Sequence, residues 1–92
     1  MPAYSPEEAA SRLGALPGWK IEDGQLTRTF NLKDFLAALA FVDRVGEQAE
    51  KAGHHPDIDI RYNRVRLSLV THDAGGLTAK DFELAAAADK FA

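Results

Sequence analysis

The stretch EKAGHHPDIDIRYNRVRLSLVTH, residues 50–72, contains the end of a helical pattern, a proline break and two alternating runs. Ile58, Ile60 and Tyr62 alternate with Asp57, Asp59 and Arg61, and Val65, Leu67 and Leu69 alternate with Arg66 and Ser68. A period of two is the mark of a strand with one buried face. The runs meet at Tyr62-Asn63-Arg64, which predicts a tight hairpin. That hairpin returns His72 towards His54 and His55, so all three histidines of the chain converge. Continuing the alternation puts Thr71 with the apolar set and His72 on the face of Arg66, Ser68 and Val70, open to a substrate.

Upstream, the apolar positions Leu32, Phe35, Leu39, Val42, Gly46 and Ala49 recur at three and four, which predicts a helix from about Leu32 or Lys33 to Ala52. Asn31 would cap it and Gly53 would end it. Glu50 falls beside Phe35 and Leu39 on this helix and can point towards the histidines. Phe41 lies off the stripe near Ala37 and Ala40, a second apolar surface suited to association between helices. Further upstream, Trp19 to Glu22 and Gln25 to Phe30 flank Asp23-Gly24, the signal for a two-residue hairpin. Ser5-Pro6-Glu7-Glu8 opens a first helix through Ala9, Leu13 and Leu16, ending before Pro17-Gly18. Downstream, Asp73-Ala74-Gly75-Gly76 reads as a loop, and Thr78-x-x-Asp81 opens a last helix through Phe91. The order α-β-β-α-β-β-α predicts an α+β fold, a four-stranded antiparallel sheet with helices on one face, as a single domain over residues 1–92.

Composition narrows the function. The chain is 46% hydrophobic and 27% charged, within the range of folded globular proteins. A net charge of -3 argues against direct nucleic-acid binding, although Arg61, Arg64 and Arg66 form a local basic cluster. The absence of cysteine removes disulfides, thiolate metal ligation and a cysteine nucleophile. The start MPAYSPEEAASRL lacks a signal-peptide pattern and no apolar run is long enough to span a membrane, so a cytoplasmic location is expected.

The histidine cluster, with Glu50, Asp57, Asp59 and Asp73 nearby, suits three chemistries unequally. Zinc needs tetrahedral convergence, and neither an HxH nor an HExxH spacing is present. Nucleophilic catalysis lacks a GxSxG elbow around Ser68. General acid–base catalysis fits best, because imidazoles with an ordinary pKa near 6.5 both donate and accept at neutral pH.

The spaced residues Glu50-x3-His54-His55-Pro56-x5-Tyr62-x9-His72-x8-Asp81 resemble the signature of the pterin-4a-carbinolamine dehydratases. The resemblance extends to Gly18-Trp19, Phe30-x2-Lys33-Asp34-Phe35, Ala49-Glu50-Lys51 and Leu69-x-Thr71-His72-x3-Gly76-Leu77. It implies a hydro-lyase reaction, loss of water from a 4a-hydroxytetrahydropterin to give a quinonoid dihydropterin, in tetrahydrobiopterin recycling. The substrate would come from a pterin-dependent aromatic amino acid hydroxylase, a functional partner. No cofactor and no metal are implied, and a homodimer or homotetramer is. By similarity His54 and His72 take the acid and base roles, His55 binds or orients the substrate, and Glu50 fixes an imidazole tautomer. Asp81, Trp19 and Pro56 are expected at the substrate. Ile58 stands where animal members often carry an aromatic residue. Animal relatives also bind a homeodomain transcription factor, so a non-catalytic binding or oligomerisation module is the alternative.

Overall fold

Ser5 caps the first helix: its hydroxyl accepts from the Glu8 backbone N–H, and the Glu8 carboxylate accepts from the Ser5 N–H. This reciprocal cap starts α1, Pro6–Leu13, with Pro6 in the first turn. The Ser5 backbone N–H, then its hydroxyl, hold the Glu8 carboxyl below its usual 4.5. A carboxyl lowered on folding stabilises above its unfolded pKa, so the cap weakens as pH falls through the lowered value. The computed structural model describes residues 2–92.

The remaining elements are β1 Lys20–Glu22, β2 Gln25–Asn31, α2 Phe35–Ala52, β3 Asp57–Arg61, β4 Arg64–Leu69 and α3 Ala79–Asp89. The strands form an antiparallel sheet in the order β1-β2-β4-β3. At the β1–β2 turn Asp23 and Gly24 both take positive φ, 51° and 76°, as the Asp-Gly pair predicts. Register pairs Leu26 with Leu69 and Phe30 with Val65, so the inward residues of the two central strands meet under the helices. Leu26, Phe30, Val65, Leu67 and Leu69 are buried against Ala38, Phe41, Val45, Leu84, Ala85 and Ala88. The opposite face carries Thr29, Asp59, Arg61, Arg64 and Arg66. The α+β order and the one-sided helix layer agree with the sequence reading.

The helix α2 differs from it in two ways. It starts at Phe35, not at Leu32 or Lys33, because Asp34 rather than Asn31 caps it, accepting from the Ala37 N–H at 2.8 Å. Its buried stripe is Ala38, Phe41, Val45 and Ala49, so Phe41 belongs to the core, while Phe35 is 45% exposed and Leu36 73%. Both stripes have three-and-four spacing, and they lie about a quarter-turn apart. Two alanines let the helix approach the sheet, and the Phe41 ring then meets Phe30 at 4.7 Å between centroids. The free apolar surface of α2 is therefore around Phe35 and Leu36 instead of Phe41.

Smaller differences lie at element ends. Leu16 follows α1 in a turn, yet is buried, and α3 ends at Asp89 before Phe91. Trp19 precedes β1 and is buried, edge-on to Phe30 at 5.8 Å, with its Nε1–H donating to Asp89 Oδ1 at 2.9 Å. Asp89 also pairs with Arg28 at 2.8 Å, which ties the end of α3 to β2. Gly18 makes room for this clasp: a Cβ there would sit 2.6 Å from Arg28 Cζ.

Candidate active site

The end of α2 and the two ends of the β3–β4 hairpin assemble the site. Gly53 takes a left-handed φ of 63° and turns the chain out of the helix. His54 and His55 follow, their adjacent side chains diverging, and Pro56 leads into β3. Beyond β4 the chain makes a β-bridge between Thr71 and Gly76, and the loop so closed holds His72 at the start of a 3-10 turn, His72–Ala74. A cleft of about 240 Å³ results, lined by His54, His55, Val70, His72, Asp73 and Lys80, among others.

His54 is buried on the inner wall, its Nε2 2.6 Å from Asp81 Oδ1. Asp81 is fully buried in the first turn of α3. Its other oxygen accepts from the Thr71 hydroxyl at 2.8 Å and from the Thr78 backbone N–H at 2.9 Å. Since the Thr71 hydroxyl donates to Asp81, the Thr78 hydroxyl donates to Thr71 across their 2.8 Å contact. Each of these donors aims at Asp81 or at the next oxygen in line, which suits an ionised carboxylate. Such a carboxylate accepts from His54 Nε2–H, so in the neutral imidazole the lone pair lies on Nδ1. Among the described residues Nδ1 has no hydrogen-bond partner, and no fully buried side-chain nitrogen or oxygen lacks one, so Nδ1 keeps some solvent contact in a residue that lines the cleft.

His55 points elsewhere, with Nε2 2.8 Å from Glu50 Oε1 in an exposed pair. Glu50 therefore orients His55, whereas the carboxylate that orients His54 is Asp81. His72 and Asp73 are exposed and also line the cleft. Pro56 is half-buried beside the cleft. Three expected neighbours are not brought in. Trp19 is held in the core by Asp89 and Phe30 and does not line this cleft. Asp81, expected at the substrate, is sealed behind His54. Asp59 lies on the open sheet face with Arg61. Among the described residues no three His, Cys, Asp or Glu side chains converge as a metal site would require.

Thr71 and Lys80 also belong to the site, and the sequence pattern alone assigns them no part in it. For Thr71 the available signal was parity, since it continues the inward set of β4 next to His72. Lys80 gave only its place, one residue before Asp81, in the first turn of α3.

A family model described as pterin 4 alpha carbinolamine dehydratase matches residues 2–91. The chain is 61% identical over 90 residues to a protein of Chloroflexus aurantiacus, covering 98% of this chain and 97% of that protein. It is 59% identical over 86 residues to one of Acidobacterium capsulatum, covering 94% of each. Both are named, provisionally, pterin-4-alpha-carbinolamine dehydratases. A crystal structure of a transcriptional coactivator/pterin dehydratase from Brucella melitensis superposes with a TM-score of 0.94 at 36% identity, covering 98% of each chain. A pterin dehydratase-like protein identified as a RuBisCO assembly factor in the alpha-carboxysome shares the fold, with a TM-score of 0.65 at 22% identity, covering 79% of this chain and 84% of that one. Full-length similarity in sequence and in backbone therefore makes this chain a member of the pterin 4 alpha carbinolamine dehydratase family.

Proposed function

We propose that this chain removes water from a 4a-hydroxytetrahydropterin, with His54 and His72 as the proton-transfer groups. The reaction needs the C4a hydroxyl to leave as water and the N5 proton to be taken up. An acid delivers a proton to the hydroxyl oxygen, the C4a–O bond breaks, a base removes the proton on N5, and the N5–C4a double bond forms. One proton is given and one taken, so exchange between the histidines and solvent restores the site.

The observation that carries this reading is the 2.6 Å contact between His54 Nε2 and the buried Asp81 carboxylate. It leaves Nδ1 with a lone pair, which suits the base, and the carboxylate stabilises the imidazolium formed when N5 gives up its proton. His72, exposed at the same cleft, is then the acid that protonates the departing hydroxyl. His55, oriented by Glu50, and Lys80 contribute polar contacts to the pterin ring or its side chain. The substrate would be supplied by a pterin-dependent hydroxylase, whose oxygenated pterin product carries the 4a-hydroxyl.

Binding is tested with a stable 7,8-dihydropterin that lacks the leaving hydroxyl, followed by the histidine nitrogen signals. Saturable shifts at His54, His55 and His72 are expected; unchanged histidine signals with bound ligand would place the pterin elsewhere.

Self-association is the second part of the proposal, since Phe35 and Leu36 stand exposed side by side at the start of α2. Apolar side chains grouped in this way favour an interface. Sedimentation equilibrium is expected to give a dimer or tetramer that Leu36→Glu dissociates, and a wild-type species at 10.0 kDa throughout would reject it.

A further inference from the structure

The open face of the sheet has a second cleft, about 280 Å³, lined by Thr29, Asp59, Arg61, Arg64 and Arg66. It lies at the tip of the β3–β4 hairpin, whereas the histidines lie at the other end of the same strands. The four residue steps from Asp57 to Arg61 separate the two by about 13 Å at the usual strand rise. We propose that this cleft binds the phosphate-type oxyanion of a small molecule.

Strand register carries the inference. Arg61 and Arg64 are direct cross-strand partners, and Thr29 is the partner of Arg66. Like charges directly opposite one another destabilise a sheet. Elsewhere on this face the pairs are complementary or neutral: Asp59 faces Arg66, Asp57 faces Ser68, Glu22 faces Gln25. Among the described residues the register opposes two cations only at the hairpin tip, in a chain whose net charge is -3.

The acids nearby neutralise part of the cluster. Asp59 Oδ1 accepts from Arg61 Nε at 3.3 Å, which leaves the terminal nitrogens of that guanidinium free. Glu22 Oε1 accepts from Arg66 at 3.2 Å. Arg64 has no acidic partner among the described residues. Two or three guanidinium forks converging on a cleft match the oxygens of a phosphate, and the Thr29 hydroxyl adds a donor. The flanking carboxylates of Glu22, Asp57 and Asp59 would repel an extended polyanion, which points to a small ligand rather than nucleic acid.

The test compares wild type with Arg64→Glu, a substitution outside the histidine cleft that puts opposite charge across from Arg61. Inorganic phosphate and phenyl phosphate are titrated at matched ionic strength, with backbone amide and arginine Nε signals and Tm as readouts. Wild type should show saturable shifts at Thr29, Arg61 and Arg64 and a rise in Tm with ligand. Arg64→Glu should have the higher Tm without ligand, because repulsion becomes attraction, and should bind phosphate at least about tenfold more weakly. Tighter binding of phenyl phosphate would support an organic phosphate as ligand, and equal binding would support the free ion. Unsaturated shifts at millimolar phosphate, an unchanged response in Arg64→Glu, or binding to polynucleotides alone would overturn the proposal.

Discussion

Asp81→Asn is expected to lower the catalysed dehydration rate by about 10²–10⁴-fold while the protein stays folded, the span general acid–base catalysis contributes. Asparagine has nearly the same shape, so its carbonyl oxygen can still accept from the Thr71 hydroxyl and the Thr78 N–H, as Asp81 Oδ2 does. Its amide then faces His54 Nε2 and can only donate. That turns His54 to the opposite tautomer, with Nε2 accepting and the proton on Nδ1, where the base needs a lone pair. The expected pattern is a fall in kcat with substrate binding largely kept, since Asp81 is buried behind His54. Asp81→Ala would confuse the two effects, because each buried donor left without an acceptor costs roughly 1–3 kcal/mol. Retained kcat in Asp81→Asn, with the fold verified by amide spectra, would remove Asp81 from any part in positioning His54.

His72→Ala should cost a comparable factor in rate, about 10²–10⁴, for a different reason. The side chain is exposed in a short 3-10 turn, so its loss should change stability by no more than about 0.5 kcal/mol. The rate loss would then be chemical, which makes this the cleaner of the two histidine deletions. His54→Ala also strips a buried carboxylate of one of its hydrogen-bond donors, which costs roughly 1–3 kcal/mol or more. Thermal unfolding alongside the rate measurement separates the cases. A His72→Ala enzyme at wild-type kcat would mean that proton delivery to the hydroxyl comes from solvent or from another residue.

The elements of this fold are legible where short-range rules determine them. Asp23-Gly24 allows the positive φ its turn needs, Ser5 and Thr78 cap as their sequences suggest, and alternation identifies the inner face of β4. The choice between two stripes on α2 is not local: Ala38-Phe41-Val45 and Phe35-Leu39-Val42 satisfy the same spacing. Packing decides it: Ala38, Phe41 and Val45 are buried against the sheet, with the Phe41 ring on Phe30. The same limit applies at the site. That the hairpin gathers three histidines can be read along the chain, and so can the capping role of Asp81. That Asp81 reaches 27 residues back to His54 cannot, since the contact depends on how α3 docks. Trp19 errs in the other direction. A large aromatic beside Pro17-Gly18 suits a pocket wall or a core, and the carboxylate of Asp89, distant in sequence, draws its indole into the core.

The reading of this chain as a dehydratase is tested most directly by generating 4a-hydroxytetrahydropterin in situ and following the quinonoid dihydropterin by absorbance, with and without the protein. The predicted result is product formation well above the spontaneous rate, proportional to protein concentration and lost in His72→Ala. A wild-type rate equal to the spontaneous one, from folded protein that binds the dihydropterin, would contradict it.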